Sequence, residues 1–414
     1  MTLSSPARPL DVTIVGGGMI TNDQILPSIY QLQRLGAVGA IVVCARRNAP
    51  LRALKANEEL RQAFPGADFR ALPDLSEPKE RVHPDIASTV IASMPARQLV
   101  IVAVPDAAHY DVVMDALRHD QHVLCVKPLV QTHAQAVEIE ELARERGLFV
   151  GVEYHKRFDR RALVARRQYA EGRFGEFVMG EARLHEPYAY RHSNFQNWFT
   201  CDQADPFTYV GCHYVDLVYF ITGLRPVSVS VEGVRRKFPN GNEGYLWSSG
   251  RLRYENGALL TITNALGYPD EAAGSNDQGL VMYCEGADRT GMIHHDDHDR
   301  GVRYSYLESS GGTRYRYVSP DYFRLVPWAG EGLMPVGYGY DSIDAMVRAV
   351  GRIEQESGTL RGAAALERRR ALIAEIDNAG MLATPANSRI NERVVEAARQ
   401  SITHGGAQVD IPHG

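Results

Sequence analysis

The chain of 414 residues is longer than one hydrophobic core ordinarily serves, so two domains are expected. Its 44% hydrophobic and 23% charged content is that of a folded globular protein, and a net charge of −5 argues against nucleic acid or an anionic membrane as the main partner. No apolar run approaches the roughly 20 residues needed to span a bilayer, which points away from a membrane.

The first ten residues carry neither a secretory signal nor a twin arginine. The five cysteines (Cys44, Cys125, Cys201, Cys212, Cys284) are scattered, with no Cys-x-x-Cys pair. That pattern predicts no disulfide framework, no zinc site and a cytoplasmic location.

In chain order, residues 10–15 read as a first strand that runs into Gly16, Gly17 and Gly18, followed by Met19 and Ile20. A helix comes next, with Ile25, Leu26, Ile29, Leu32 and Leu35 near helical spacing. A glycine turn between strand and helix lets the backbone approach a pyrophosphate, and the helix N-terminus offers N–H donors. The fit to G-x-G-x-x-G is incomplete, because Thr21 stands where the third glycine would be. A tight turn alone would explain the triplet, but its place after the first strand favours a dinucleotide site.

The second strand, 40–44, is followed by Arg46 and Arg47 instead of an acidic residue. Arg46 could receive a 2′-phosphate, which leans towards NADP; the alternative is two solvated arginines. Strands at 99–104, 122–126 and 149–153 follow, with helices at 110–117 and 134–145. This α/β alternation predicts a doubly wound parallel sheet with right-handed crossovers. Pro105 and His109 lie just past the 99–104 strand on the ligand edge, although His109 is equally a helix-start residue. Pro128 stops the 122–126 strand and leaves Lys127 at its carboxyl end, where open parallel sheets bind ligands.

After Glu153 the pattern changes. Strands at 176–186 and 227–238 are followed by three hairpins. These pair 252–254 with 258–263 across Asn256-Gly257, 280–285 with 292–294, and 302–307 with 313–318 across Gly311-Gly312. An antiparallel sheet and an α+β second domain are expected. Helices at 342–353, 367–379 and 392–400 and a short strand at 409–411 close the chain.

Residues 205–223 read as a capped helix, with Asp205 as N-cap, Pro206 at the first position and Gly223 as the stop. Tyr209, His213 and Asp216 share one face and could pass a proton, with Asp216 accepting from the imidazole. A buried, hydrogen-bonded histidine in a core helix explains the same spacing. The run HHDDHD at 294–299 reads as a polar turn, for substrate contact or solvation; no metal is expected.

Four stretches occur in a telling order: VGGGMIT, VAVPDAAHY, LCVKPL and GCHYVDLVYFITG. In that order they resemble the Gfo/Idh/MocA oxidoreductases, which include glucose–fructose oxidoreductase and inositol dehydrogenase, over essentially the whole chain. The resemblance implies an N-terminal Rossmann domain at 1–154. It also implies a C-terminal α+β domain at 155–414, with a large, mostly antiparallel, open-faced sheet that binds substrate and packs into homodimers or homotetramers. NAD or NADP would be held by Gly16, Gly17, Gly18, Met19, Ile20, Arg46, Pro105, His109 and Lys127.

Carried over, Lys127 matches the proton-transferring, substrate-orienting lysine of the family's Glu-Lys-Pro motif, and His213 the histidine of its second motif. Val126 departs from the usual glutamate, and Tyr209 stands where an aspartate is common; Asp205 and Asp216 are candidate replacements. The expected catalytic residues are Lys127, His213 and Tyr209. The expected function is NAD(P)-dependent oxidation or reduction of a sugar, glycoside or cyclitol. Two rivals are an NAD-dependent glycoside-cleaving enzyme working by transient oxidation and elimination, and a non-catalytic sugar or nucleotide sensor.

Overall fold

The computed structural model describes residues 9–270, 272, 276–288, 290–297, 303–307, 313–317 and 321–413. The chain forms two compact units. One comprises Met1–Val130, Ala134–His155 and Leu325–Arg389; the other comprises Gln131–His133, Lys156–Arg324 and Ile390–Gly414.

The first unit is built on six parallel strands: β1 (Leu10–Val15), β2 (Val38–Cys44), β3 (Arg70–Leu72), β4 (Leu99–Val102), β5 (His122–Val126) and β6 (Val150–Glu153). Their order is β3-β2-β1-β4-β5-β6. Strands β1 and β5 are mostly apolar and β4 wholly so, and all of β4 is buried, as a strand covered on both faces requires. The sheet reverses direction between β1 and β4, which pair through Val15 and Val102, and this reversal makes a binding crevice at the carboxyl ends. The short β3 escapes the sequence pattern because three residues show no usable alternation.

The compact units are not continuous stretches of the chain. Residues 325–389 belong to the first unit. The helix Tyr338–Ser357 buries Ile343, Met346, Val347, Val350 and Ile353. Gly151 of β6 leaves room for this helix, since a Cβ there would stand 2.9 Å from Met346 Sδ. Val152 N donates to Ala383 O, and His122 Nε2 of β5 lies 3.0 Å from Glu354 Oε1. Apolar sheet surface is covered by whichever segment fits it, near in sequence or far.

The second unit carries β7 (Glu176–Pro187), β8 (Pro226–Lys237), β9 (Glu243–Tyr254), β10 (Leu259–Tyr268), β11 (Asp277–Glu285) and β12 (Thr290–Asp297). It also has a short pair, β13 (Arg303–Leu307) with β14 (Thr313–Tyr317), and β17 (Val409–Asp410); a second short pair, β15 (Arg324–Pro327) with β16 (Leu333–Val336), falls with the first unit from Leu325 on. The main sheet runs β12-β11-β7-β10-β9-β8-β17. It is antiparallel except where β10 pairs parallel with β7. Most of β9 is hidden from a sequence reading because its inward positions include Ser248 and Gly250. The Phe207 ring fills the space beside Gly250, 2.3 Å from where a Cβ would be.

The run at 294–297 is strand, not turn: His294, His295, Asp296 and Asp297 pair with Val281, Leu280, Gly279 and Gln278. His298, Asp299 and the Gly311-Gly312 turn lie outside the described residues. Met179, Tyr283 and Met292 are exposed cross-strand neighbours on the open face. Among the described residues no helix is long and apolar enough to cross a membrane.

Candidate active site

In the first unit the glycine turn follows from close approach. Gly16 has φ +114°, and a Cβ there would stand 2.0 Å from the Ala103 carbonyl oxygen just past β4. No other residue fits. The Thr21 hydroxyl donates to Gly16 O at 2.8 Å, so the departure from a third glycine ties the turn closed by a hydrogen bond. A single π-helical turn, Thr21–Ile25, then leads into the helix Leu26–Arg34, with Pro27 directly after the turn.

Gly18 differs from Gly16. It is exposed, and a Cβ would meet nothing within 4 Å. The turn therefore leaves an open cradle in front of a helix start, which fits the diphosphate of a dinucleotide. Gly18→Val should fold like the parent yet bind the dinucleotide about 1–3 kcal/mol more weakly, as measured by calorimetry. Gly16→Ala should instead lower the unfolding temperature, its strain costing about 1–3 kcal/mol.

Met19 is exposed and Ile20 half-buried beside this turn. Arg46 and Arg47 are exposed just past β2, and Pro105 is exposed past β4. His109 is fully buried. Its Nε2 lies 2.9 Å from Val104 O and its Nδ1 2.8 Å from Pro128 O, so it clasps the loop after β4 to the loop after β5. That geometry makes His109 a support for Lys127, without a surface to offer a cofactor. Lys127 is half-buried at the end of β5, joined to Pro128 by a cis peptide bond.

Val126 is the registered partner of Glu153 on β6. Registered partners project to the same face of a sheet. A buried carboxylate therefore stands one strand away from the position where the resemblance leads one to expect it.

In the second unit Asp205 accepts from Thr208 N and Thr208 Oγ1, each at 2.9 Å, and opens the helix. Pro206 follows, then a π-helical turn, Phe207–Gly211, then α-helix from Cys212 to Thr222. Gly223 closes it in the left-handed region, φ 74°. Gly211 sits where a Cβ would be 2.6 Å from Asn264 Oδ1. His213 is buried. Tyr209 is half-buried, its ring edge-on to Phe195, Trp198 and Phe199 at 5.4, 5.7 and 5.4 Å.

Neither candidate replacement carboxylate is available for a proton relay. Asp216 accepts from Arg157 Nε (2.8 Å), Arg157 Nη2 (2.6 Å) and Asn391 Nδ2 (2.8 Å), not from His213. Asp205 is fully buried and also accepts from Arg399 Nη1 at 3.0 Å. Both are held by arginines distant in the chain, the buried Arg157 and the partly exposed Arg399, which a sequence cannot pair with them.

His294 is exposed beside Asp296, while His295 is buried with its Nε2 2.6 Å from Asp159 Oδ2. Burial opposes ionisation of Asp159, but hydrogen bonds and charge from His295 and Arg161 outweigh it and hold the carboxyl well below the usual range. No three His, Cys, Asp or Glu side chains converge as a metal set among the described residues.

No local pattern marks the stretch from Glu153 to Asp159, whose polar side chains are buried in the fold. The one hint is composition: an acidic residue ends an apolar strand and is followed at once by His-Lys-Arg.

The 3-2-1-4-5-6 parallel sheet with its glycine turn at the reversal, followed by a mixed, mostly antiparallel sheet, defines a two-domain oxidoreductase with an NAD-binding Rossmann domain. Residues 10–154 match the "Oxidoreductase family, NAD-binding Rossmann fold" and residues 163–287 the "GFO/IDH/MocA C-terminal domain". The chain belongs to the Gfo/Idh/MocA oxidoreductase family.

It is 27% identical over 232 residues to the D-glucoside 3-dehydrogenase of Escherichia coli K12, which is 55% of this chain and 58% of that protein. It is 28% identical over 115 residues to scyllo-inositol 2-dehydrogenase (NADP(+)) IolW of Bacillus subtilis, 28% of each. It is 35% identical over 100 residues to an uncharacterized oxidoreductase, C26H5.09c, of Schizosaccharomyces pombe, 24% of this chain and 27% of that one. The matched region thus spans 27% to 58% of these relatives' own lengths.

Two solved structures share the fold. The myo-inositol 2-dehydrogenase of Lactobacillus plantarum has a TM-score of 0.62 at 15% identity, covering 98% of this chain and 100% of that one. The scyllo-inositol dehydrogenase of Lactobacillus casei, solved with NAD(H) and scyllo-inositol, has a TM-score of 0.59 at 14% identity, covering 97% and 99%.

Proposed function

We propose that this oxidoreductase moves a hydride between NAD or NADP and a hydroxyl or carbonyl carbon of a sugar, glycoside or cyclitol. The observation that carries the reading is Lys127, a half-buried amine at the carboxyl end of β5, its loop clasped by the buried His109. The names of the glucoside and inositol dehydrogenases among its relatives support the substrate class. The nicotinamide, when bound, supplies the hydride chemistry. The chain's own part is to orient the carbinol and move its proton: Lys127 takes the hydroxyl proton, while His213 and Tyr209 hold the substrate oxygen. Pairing of copies through the exposed Met179–Tyr283–Met292 row belongs to the same proposal.

The test is a screen of sugars, glycosides and inositols with each nicotinamide. Net formation of reduced nicotinamide supports the reading. Product without net reduction points to redox-assisted glycoside cleavage, and tight sugar binding without turnover to a sensor.

Two substitutions refine it. Arg46→Ala should weaken NADP by about 1.5–3 kcal/mol, the worth of a hydrogen bond to a charged group, and leave NAD unchanged. Equal losses for both cofactors would remove Arg46 from the site. Tyr209→Phe should lower kcat/KM by about 1–3 kcal/mol; a fully active variant would make Tyr209 a member of the aromatic cluster and nothing more.

A further inference from the structure

Glu153 and Gln24 are 3% and 1% exposed, and the fold alone calls for neither. Glu153 follows Val150, Gly151 and Val152 in β6, where an apolar residue would avoid the cost of desolvating a carboxylate. Gln24 stands directly before Ile25 and Leu26, both fully buried, and an apolar side chain could pack there as they do.

The two side chains hold one another. Gln24 Nε2 donates to Glu153 Oε1 at 3.0 Å and to Gly339 O at 3.1 Å, so both hydrogens of the amide are used. Ser342 Oγ donates to the same Oε1 at 2.6 Å, and His155 Nδ1 lies 2.7 Å from Oε2. Buried hydrogen bonds of this kind fix direction as well as distance, which apolar contact does not. The strands β4 and β5 separate β1 from β6, so the Gln24–Glu153 bond ties the segment after β1 to the far edge of the sheet.

That segment is the turn behind the glycines. Gln24 is the fourth residue of the π-helical turn Thr21–Ile25, a rare form that is frequent at functional sites. The turn is pinned at two points. At its first residue Thr21 Oγ1 donates to Gly16 O at 2.8 Å, and at its fourth Gln24 reaches Glu153. Gly16 has no room to give way, because its backbone lies against Ala103 O. The N–H groups at the start of a helix have no partner within it, and here they open on to the exposed Gly18.

We propose that Glu153 is a positioning residue for the dinucleotide and that it acts through Gln24. The carboxylate at the end of β6 sets where the π-helical turn stands relative to the sheet. It thereby sets where the N–H groups behind Gly18 meet the diphosphate. Groups that bind a ligand must be held to within about 0.5 Å, and hydrogen bonds behind them are what keep them there. Thr21 closes the turn upon itself, whereas Glu153 gives it a reference 129 residues away in the chain. The proposal needs the NAD-binding domain alone and not the substrate class proposed above.

Calorimetric titration with NAD and amide spectra of the protein without ligand test it together. In protein labelled with 15N at glycine, the Gly18 signal is the one that Gly18→Val removes. Gln24→Met, which keeps the length and the burial but has no donor, should bind NAD about 10-fold more weakly and shift the Gly18 signal. If Gln24→Met does not fold, Gln24→Asn, whose amide falls one carbon short, should show both changes. Ser342→Ala takes another donor from the same oxygen but leaves the turn its own tether. It should lower the unfolding temperature, with NAD affinity and the Gly18 signal as in the parent. Gln24→Met/Glu153→Gln should bind NAD no more weakly than Gln24→Met alone, because both act along one path. Parental affinity in Gln24→Met overturns the proposal. So does a loss without a shift of the Gly18 signal, or a loss that Ser342→Ala matches, since lowered stability would then be the cause. None of these results bears on the dehydrogenase reading, which the screen of sugars tests separately.

Discussion

Lys127→Met should lower kcat by about 100- to 10,000-fold, the usual range for removing a general acid–base group, while dinucleotide affinity is unchanged. Methionine is close to lysine in length and can keep the packing of its stem, so only the amine is lost. The loop should hold its shape, because His109 grips Val104 O and Pro128 O independently of residue 127. The measurement is steady-state kinetics beside calorimetric titration of the cofactor. A variant that keeps most of its kcat would leave Lys127 as an ordinary lysine at a strand end and remove the main support for the proposed function. Loss of cofactor affinity in parallel with kcat would move Lys127 from proton transfer to cofactor binding.

Asp216→Ala should destabilise the protein by about 3–5 kcal/mol, the cost of leaving a buried charge without its partner. The stranded group is Arg157, whose side chain is 2% exposed. Asn391 Nδ2 loses its acceptor at the same time. Urea unfolding monitored by fluorescence reads the loss as a lower midpoint. Replacing both charges, as in Arg157→Met/Asp216→Leu, should recover much of the deficit, because well-packed apolar pairs often match a buried ion pair in stability. An Asp216→Ala protein as stable as the parent but inactive would restore Asp216 to the proton relay that its helical spacing suggests.

The two outcomes bear on how much a sequence says. Tyr209, His213 and Asp216 stand at spacings that align them on one helical face, and the helix is there with Asp205 at its start and Gly223 at its stop. Spacing reports direction within one element. It does not report which distant arginine arrives, and Arg157 and Arg399 claim the two carboxylates. The same distinction explains the 294–297 run. Alternation was masked by polar residues on both faces, so strand pairing with β11 was invisible until the sheet was assembled.

By itself, the sequence determined the elements whose causes are local. Apolar runs dictated the buried parallel strands, Gly16 the turn, Pro128 the end of β5 with Lys127 upon it, and Asn256-Gly257 a hairpin with Gly257 at φ +88°. Each follows from what one residue's backbone can adopt or which face a side chain must bury. Only the tertiary structure decided what depends on contacts across many residues. It returned 325–389 to the first unit, made His109 a clasp, and tied Asp205 and Asp216 into buried ion pairs. It also brought Gln24, Ser342 and His155, which lie 129, 189 and 2 residues away in the chain, onto one carboxylate at Glu153. Burial and hydrogen-bond satisfaction are properties of the packed chain, and no local pattern encodes which partner a buried polar group will find.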